Sequence, residues 1–532
     1  MSDLASVQQK LAKIRTRTDL KIRPTTLLKQ TFTDFDGSEK PLRIRYYQIQ
    51  GMLHLILMKR FLLGDDTGLG KTLEAIGALC YIWEKDPNRK VVIFTTKSAV
   101  PQWVGEFSKF TTGVKAIICK GTPSQREQAR RMWESAKGPA VIVMGYRSAV
   151  QDIRHIQSWS DFILITDEAT AYKNPKTQVH QMVRHMGGQA DRLWALTATL
   201  IKNNLMEGHG IYQVVCPGLF GSQRNFMMYY CLTRMQPVGR GRQVPVVVGY
   251  SPDKIAEFKA EISPYYLGRP KHEVATELPV LISRVLEVPL VEDQEDKYDD
   301  ALAGLLEMGD GDLREVSKLT ALIYCQEIVN HLELIAHKGK SEKMDMLLEM
   351  LTTGDFAEEK VIVYSRFSKM VDVMMPLLKK EKLHPVRITG AEKEDDRKKA
   401  QDLFQDPNSD CRVICITDAG SDAINLQAAK ALVCYDTPWS AGQFIQLVGR
   451  MIRIGSIHDR CYVNHLVAKR TRGQKRKSID HRVIEVLNKK MRLVEAVLGK
   501  RLKGEGDSTS PISADNDISD IFQALRDDAQ AA

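Results

Sequence analysis

Two stretches of the sequence carry side chains whose types and spacing could handle a polyphosphate. In GDDTGLGKT, residues 64–72, Gly68 and Gly70 let the backbone curl so that amides along Asp66, Thr67, Gly68, Leu69 and Gly70 face phosphate oxygens where a helix begins. Lys71 can then reach the β- and γ-phosphates, and the Thr72 hydroxyl can ligate magnesium. Asp65 stands where the strict form of this motif has its first glycine. The second stretch is Asp167-Glu168, directly after the apolar run FILIT. Open α/β sheets place their ligands at the C-terminal ends of buried strands, so Asp167 can hold the magnesium there and Glu168 can position or activate an attacking water. Two acids closing a strand more often make a turn. Their order after the glycine loop favours hydrolysis of a nucleotide such as ATP over binding alone.

These residues must be held by strands and helices, and the sequence supplies both. Phe61-Leu62-Leu63 leads into the glycine loop and TLEAIGALCYIW follows with helical spacing. Short apolar runs recur at 91–94, 115–120, 141–144, 162–166 and 193–196, and a second series lies at 361–364, 412–417 and 431–436. Alternation of such runs with longer amphipathic ones predicts an α/β protein whose parallel-sheet architecture occurs twice. The boundaries read as a basic N-terminal extension at 1–40, a first lobe at 41–218, helical insertions and linker at 219–340, a second lobe at 341–503 and an acidic disordered tail at 504–532, with a short helix at DISDIFQALRDD.

Composition sets the class. No apolar run approaches a membrane span, and the N-terminus lacks a secretory design, so an intracellular protein is expected. The nine cysteines form no CxxC pair; Cys411 and Cys415 flank a strand pattern and read as buried free thiols, which implies a reducing compartment and no structural zinc. The net charge is +10, yet the tail from Gly504 holds one Arg against seven carboxylates, so the rest of the chain is more cationic still. A basic body fits a polyanionic partner or mere solubility.

Taken in order, the motifs resemble those of the Swi/Snf-type ATPases of helicase superfamily two, from about Arg43 to about Lys490. Tyr47-Gln48 with Gly51 resembles the adenine-reading glutamine motif, DDTGLGKT resembles DEMGLGKT, and VVIFTTKSAVPQW resembles the next motif with Trp103 in place. DEATAYKN resembles DEAH followed by Lys-Asn, LTATLIKNNLME resembles LTGTPxQNxxxE, and CPGLFGS and GRPKHEVATELP resemble the segments after it. VIVYSRFSKM, ITGAEKEDDR, TDAGSDAINLQAAKALVCYDTPW and QLVGRMIRIGS resemble the second-lobe motifs. The resemblance implies two tandem RecA-like lobes, ATP and magnesium as cofactors, and DNA as partner, duplex favoured and RNA not excluded.

The last motif also has a physical reading. Ser440 as N-cap and Gly455 as stop predict a helix over 441–453, with Gln446, Arg450 and Arg453 on one face and Phe444, Val448, Met451 and Ile452 turned inward. Two arginines on a rigid face suit a γ-phosphate held by the other lobe, although a helix C-terminus favours cations anyway. Thr95, Thr96, Lys97 and the 417–425 loop are candidate DNA contacts, and Thr197, Thr199 and Thr417 join them as coupling residues. KRTRGQKRK at 469–477 fits a DNA contact, a solvated loop or a nuclear-import signal equally. The sequence departs from the family pattern at Thr170, Ala198, Leu200, Ser421 and Ala423, where ATP state is coupled to DNA grip. The expected function is an ATP-dependent DNA translocase of low sequence specificity, in replication, recombination or repair, at the nucleoid or, in a eukaryote, the nucleus. A strand-separating helicase and an ATP-switched clamp are the alternatives.

Overall fold

The computed structural model describes residues 2–33, 38–237, 242–274, 278–307, 313–315, 317–418, 424–453, 456–473 and 476–498, with 512, 513, 521 and 525. The chain divides into two units, Met1–Thr276 with Val494–Pro511 and Glu277–Leu493 with Ile512–Ala532. Each is built on a parallel sheet. In the first unit β1 (Arg60–Leu63), β2 (Lys90–Thr95), β3 (Lys115–Cys119), β4 (Ala140–Gly145), β5 (Ile163–Asp167), β6 (Arg192–Leu196) and β7 (Tyr266–Leu267) lie in the order β7-β1-β6-β5-β2-β4-β3, every pair parallel. Val91 to Phe94, Val141 to Met144 and Ile163 to Ile165 are fully buried. A parallel sheet covered on both faces forces such unbroken apolar runs, and each fully buried Val, Leu, Ile or Phe contributes about 1.5–3 kcal/mol.

The second unit repeats the plan. Its strands β8 (Val280–Pro289), β9 (Val361–Tyr364), β10 (Val386–Ile388), β11 (Val413–Ile416), β12 (Ala431–Cys434) and β13 (Arg460–Lys469) lie in the order β8-β13-β12-β9-β11-β10, again all parallel. Val361, Val363, Val413, Cys415 and Val433 pack against Met370, Val371 and Met374 of the helix Ser368–Lys380. The nine thiols are free and eight are buried, Cys411 and Cys415 among them, as expected of core residues. No described helix is long and apolar enough to cross a membrane.

The stretch 219–340 departs from the helical insertions and linker expected there. It contributes an edge strand to each sheet: β7 beside β1, and the ten-residue β8, in register with β13 from Val280↔Arg460 to Pro289↔Lys469. It also forms an antiparallel hairpin of Leu232–Pro237 with Gln243–Tyr250. β7 is too short to show periodicity, and β8, with Val280 and Val285 more than half exposed, lacks the apolar run that marks a central strand. The tail helix at DISDIFQALRDD lies, apart from residues 521 and 525, outside the described residues.

One buried ion pair closes the second unit around its sheet. Lys343, 2% exposed, donates to Asp480 Oδ2 at 2.5 Å, Asn330 Oδ1 at 3.2 Å and Tyr435 O at 3.2 Å, and Ala468 N donates to the same Asp480 oxygen at 2.9 Å. Removing one partner of a buried pair strands the other. Lys343→Ala should therefore lower the urea-unfolding free energy of this unit by about 3–5 kcal/mol, while Lys343→Met with Asp480→Leu should recover most of the loss.

Candidate active site

The glycine loop leaves β1 and ends where the helix Lys71–Lys85 begins. Gly68 and Gly70 hold φ of 87° and 91°, the left-handed region in which a side chain is strained. A Cβ on Gly70 would also lie 2.5 Å from Gln48 Nε2. Gln48 and Tyr47, on the helix Tyr46–Leu57, both donate to Leu69 O, at 3.0 and 3.3 Å, and Gln48 Oε1 accepts from Arg45 N at 3.0 Å. The glutamine expected to read adenine thus also braces the loop. Lys71 Nζ donates to Asp65 O at 2.7 Å and Asp66 O at 3.2 Å, and Thr72 is half-buried on the first helical turn.

Not every loop residue faces the nucleotide position as expected. Asp66 turns its amide to Arg269 O at 3.2 Å and accepts Lys271 N on Oδ2 at 2.9 Å, and the Leu69 amide closes a turn onto Asp66 O at 3.3 Å. These two shape the loop. Asp65 is fully buried against Arg269, which also reaches Glu74 of the following helix. Burial, then the charge of Asp65, pushes the Glu74 carboxyl well above its ordinary range. Gly51 is a further glycine the site demands, because a Cβ there would fall 1.6 Å from Glu74 Oε2.

β5 delivers Asp167 to the same end of the sheet, with β6 between it and β1. Asp167 Oδ2 accepts from Trp103 Nε1 at 2.8 Å and from Thr95 Oγ1 at 3.1 Å; Oδ1 accepts Glu168 N at 3.0 Å, and Tyr146 OH donates to the Asp167 carbonyl at 2.7 Å. Burial, then the Glu168 charge, pushes the Asp167 carboxyl up, against the donors Trp103 and Thr95 and the charge of Lys71. The half-buried Asp167 carboxylate, with the Thr72 hydroxyl as its expected co-ligand, is a hard-oxygen set suited to magnesium. Glu168 sits at φ 53° and ψ 59°, a left-handed conformation uncommon outside glycine and characteristic of functional turns. Beyond it Lys173 pairs with Glu207, which also accepts the amides of Lys202 at 2.6 Å and Asn203 at 3.1 Å, tying the acidic box to the segment after β6.

The candidate DNA and coupling threonines divide. Thr95, Thr197 and Thr199 are fully buried and Thr417 nearly so. Thr95 holds Asp167, and Thr197 Oγ1 donates to Thr199 O at 3.1 Å while its amide reaches Leu63 O at 3.1 Å. Burial removes Thr95 from direct DNA contact, against the expectation from sequence. Thr96 is half-buried and Lys97 exposed. Of the departures noted in the sequence, Thr170, Ala198 and Leu200 are buried; Ser421 and Ala423 lie outside the described residues.

In the second unit the helix spans Ala441–Met451, capped by Ser440, whose side chain accepts Gln443 N. It stops before Arg453, because Ile452 is extended (φ −90°, ψ 100°), whereas a helix to 453 was expected; Gly455, its expected stop, lies outside the described residues. Gln446 and Arg450 keep their i, i+4 relation, Arg450 is 8% exposed, and Arg453 folds back with Nε donating to Gly449 O at 3.1 Å. Phe444, Val448, Met451 and Ile452 turn inward as expected. Among the described residues of the basic 469–477 segment four cations are paired: Lys469 with Glu287 at 2.5 Å, Arg470 with Glu295 at 3.0 Å and Asp299 at 2.5 Å, Arg472 with Asp296 at 2.5 Å, and Lys477 with Glu485 at 2.8 Å. Three of those acids belong to one helix, Glu292–Ala303.

The SNF2-related domain model matches residues 47–350, more than half of the chain, and the helicase conserved C-terminal domain model matches residues 342–455. The chain belongs to the SNF2-related family. The chain is similar to the ATP-dependent DNA helicase DDM1 of Arabidopsis thaliana, 24% identical over 92% of this chain and 66% of that protein, and to the nuclear protein STH1/NPS1 of Saccharomyces cerevisiae, 24% identical over 78% of this chain and 32% of that protein. It spans less than two thirds of the length of either. Among solved structures, the Sulfolobus solfataricus SWI2/SNF2 ATPase core in complex with dsDNA covers 90% of this chain and is itself 99% covered, at 22% identity and a TM-score of 0.41. Membership in the SNF2-related family accords with two parallel-sheet lobes. Within that frame Trp103, which from sequence could equally be a core residue, is a donor to the acidic pair, and Tyr146, Glu74 and Arg269 were not legible as site residues. Trp103→Phe keeps the ring and removes one bond to a carboxylate worth ~1.5–3 kcal/mol, so ATPase kcat should fall about ten- to hundredfold with ATP binding little changed. Wild-type kcat in steady-state assays would reduce Trp103 to packing.

Proposed function

We propose that this chain hydrolyses ATP and uses the energy to move along duplex DNA with little regard to sequence. The observation that carries the reading is the convergence of Lys71 and Asp167-Glu168 at the C-terminal ends of β1 and β5 in one sheet, close enough for the Lys71 charge to act on Asp167. A bound magnesium would be held by Thr72 and Asp167, and would screen the phosphate charge. Lys71 stabilises charge on the β- and γ-phosphates. Glu168 takes a proton from water as the water oxygen attacks the γ-phosphorus and the bond to the β-phosphate oxygen breaks, giving ADP and phosphate. Arg450 and Arg453 from the second unit are assigned to the γ-phosphate, a role worth ~10³-fold or more in rate elsewhere.

DNA as the track is supported by the cationic surplus outside the acidic tail and by a relative named as an ATP-dependent DNA helicase. An intracellular location, at the nucleoid or in a nucleus, follows from that substrate. Phosphate-directed contacts make binding fall steeply with salt and vary little with sequence.

Lys71→Ala and Glu168→Gln should both abolish hydrolysis yet differ in binding: Glu168→Gln keeps ATP, Lys71→Ala loses most of it. Wild-type turnover by Glu168→Gln would remove it from the chemistry. For movement, the protein should displace a third strand from a DNA triplex with ATP while separating a plain duplex poorly, because unwinding needs a pin that splits base pairs worth about 1.4 kcal/mol per step. Arg450→Ala should bind DNA nearly normally and displace nothing. Efficient unwinding without triplex displacement would make the protein a strand-separating helicase, and a slow ATPase indifferent to DNA would make it a clamp.

A further inference from the structure

Arg269 lies 204 residues from Asp65 in sequence, yet all five of its guanidinium hydrogens are committed beside the glycine loop. Nε donates to Asp65 Oδ1 at 2.9 Å and Nη2 to Asp65 Oδ2; Nη2 also reaches Glu74 Oε2 at 3.2 Å; Nη1 donates to Tyr47 O and to Gln50 Oε1 at 3.2 Å. The arginine is 7% exposed and lies 5.3 Å over the Tyr47 ring. One side chain therefore grips the entrance of the loop, the helix that follows it and the helix that carries Gln48. Its own backbone extends the grip, because Arg269 N donates to Asp65 Oδ1 at 3.0 Å and Arg269 O accepts Asp66 N at 3.2 Å. Just before it, Leu267 O accepts Gly64 N at 2.6 Å.

Asp65 makes this grip necessary. A carboxylate at the start of a loop built for a triphosphate repels the ligand, and buried from water it is poorly screened. Glycine, which the strict motif has there, would bring no charge. We propose that Arg269 is a positioning residue for nucleotide binding, cancelling the Asp65 charge and fixing the loop against the two flanking helices so that ATP affinity depends on it. The proposal rests on the reading of the glycine loop as an ATP site. Arg269 need not touch the nucleotide, so its loss acts on affinity more than on the chemical step.

The test compares Arg269→Lys with Arg126→Lys in the full chain. Arg126 holds Asp152 through contacts of 2.9–3.1 Å, equally buried and in the same unit, but outside the loop's hydrogen-bonded network. Equilibrium titration with a fluorescent ATP analogue and steady-state ATPase assays give Kd, KM and kcat, and thermal melts report folding. Arg269→Lys should raise Kd and KM at least tenfold with kcat within threefold of wild type. Arg126→Lys should lower the melting temperature and leave Kd within twofold. The triple variant Asp65→Asn, Glu74→Gln and Arg269→Gln, which removes both carboxylate charges along with the guanidinium, should bind within threefold of wild type. Equal Kd shifts in Arg269→Lys and Arg126→Lys, or an unshifted Arg269→Lys, would overturn the proposal. Failure of the wild type itself to bind ATP would instead overturn the nucleotide site. Should Arg269→Lys not fold, Gln50→Leu withdraws one acceptor from the guanidinium without touching the loop; a threefold or larger loss of affinity is expected, and no loss overturns the proposal.

Discussion

Asp65 and Glu74 are two carboxylates withdrawn from water on either side of a loop that must receive a polyanion, and a single guanidinium answers both. Much of the first unit is arranged around that charge balance. Gly51 lacks a side chain because Glu74 occupies its space, and Gln50 gives one oxygen to Arg269 while its nitrogen donates to the carbonyls of Ile14, Arg15 and Arg17. The N-terminal helix Ser2–Arg15 is thereby anchored one residue from the arginine, and Arg15 itself donates to Ser263 O and Tyr266 O, beside β7. A fully satisfied polar network of this kind rigidifies its surroundings, whereas a partly satisfied one would destabilise them.

The acidic pair is governed by a different balance. Asp167 stays where it is through donors from β2 and from the helix Ala99–Phe110, so the motif VVIFTTKSAVPQW and the acidic box meet at one carboxylate. Thr197, bonded to Leu63 at the end of β1, lies between that carboxylate and the glycine loop. Thr95, Thr197 and Thr199 are all buried in this row, which bears on the coupling role proposed for them rather than on contact with DNA.

Much of this was legible beforehand because central parallel strands must be apolar throughout: the runs at 91–94, 141–144 and 361–364 are strands at those positions, extended by at most one residue at either end. Edge strands carry no such obligation, which is why β7 and β8 passed for linker. The helix after Ser440 was placed by its cap and apolar face, but its last turn depends on the extended Ile452, which no propensity encodes. Thr95 passed for a DNA contact because sequence shows a hydroxyl without showing which way the strand turns it. Arg269 lies far along the chain in GRPKHEVATELP, a segment read for its family resemblance without a role for any one residue. The available signal was Asp65 itself, since a carboxylate standing in for glycine at a phosphate loop calls for a buried partner of opposite sign.

That separation has a consequence during synthesis. A ribosome that has finished Thr72 has produced the entire glycine loop, but the guanidinium that neutralises Asp65 is still about two hundred codons away. At ~5–20 residues per second this interval is roughly 10–40 s. Until then Asp65 has no guanidinium to pair with, and β1 has no β7 beside it. If ATP affinity depends on Arg269 as proposed, the binding of nucleotide is tied to the arrival of this last strand of the sheet, and so to a late stage of the first unit's synthesis.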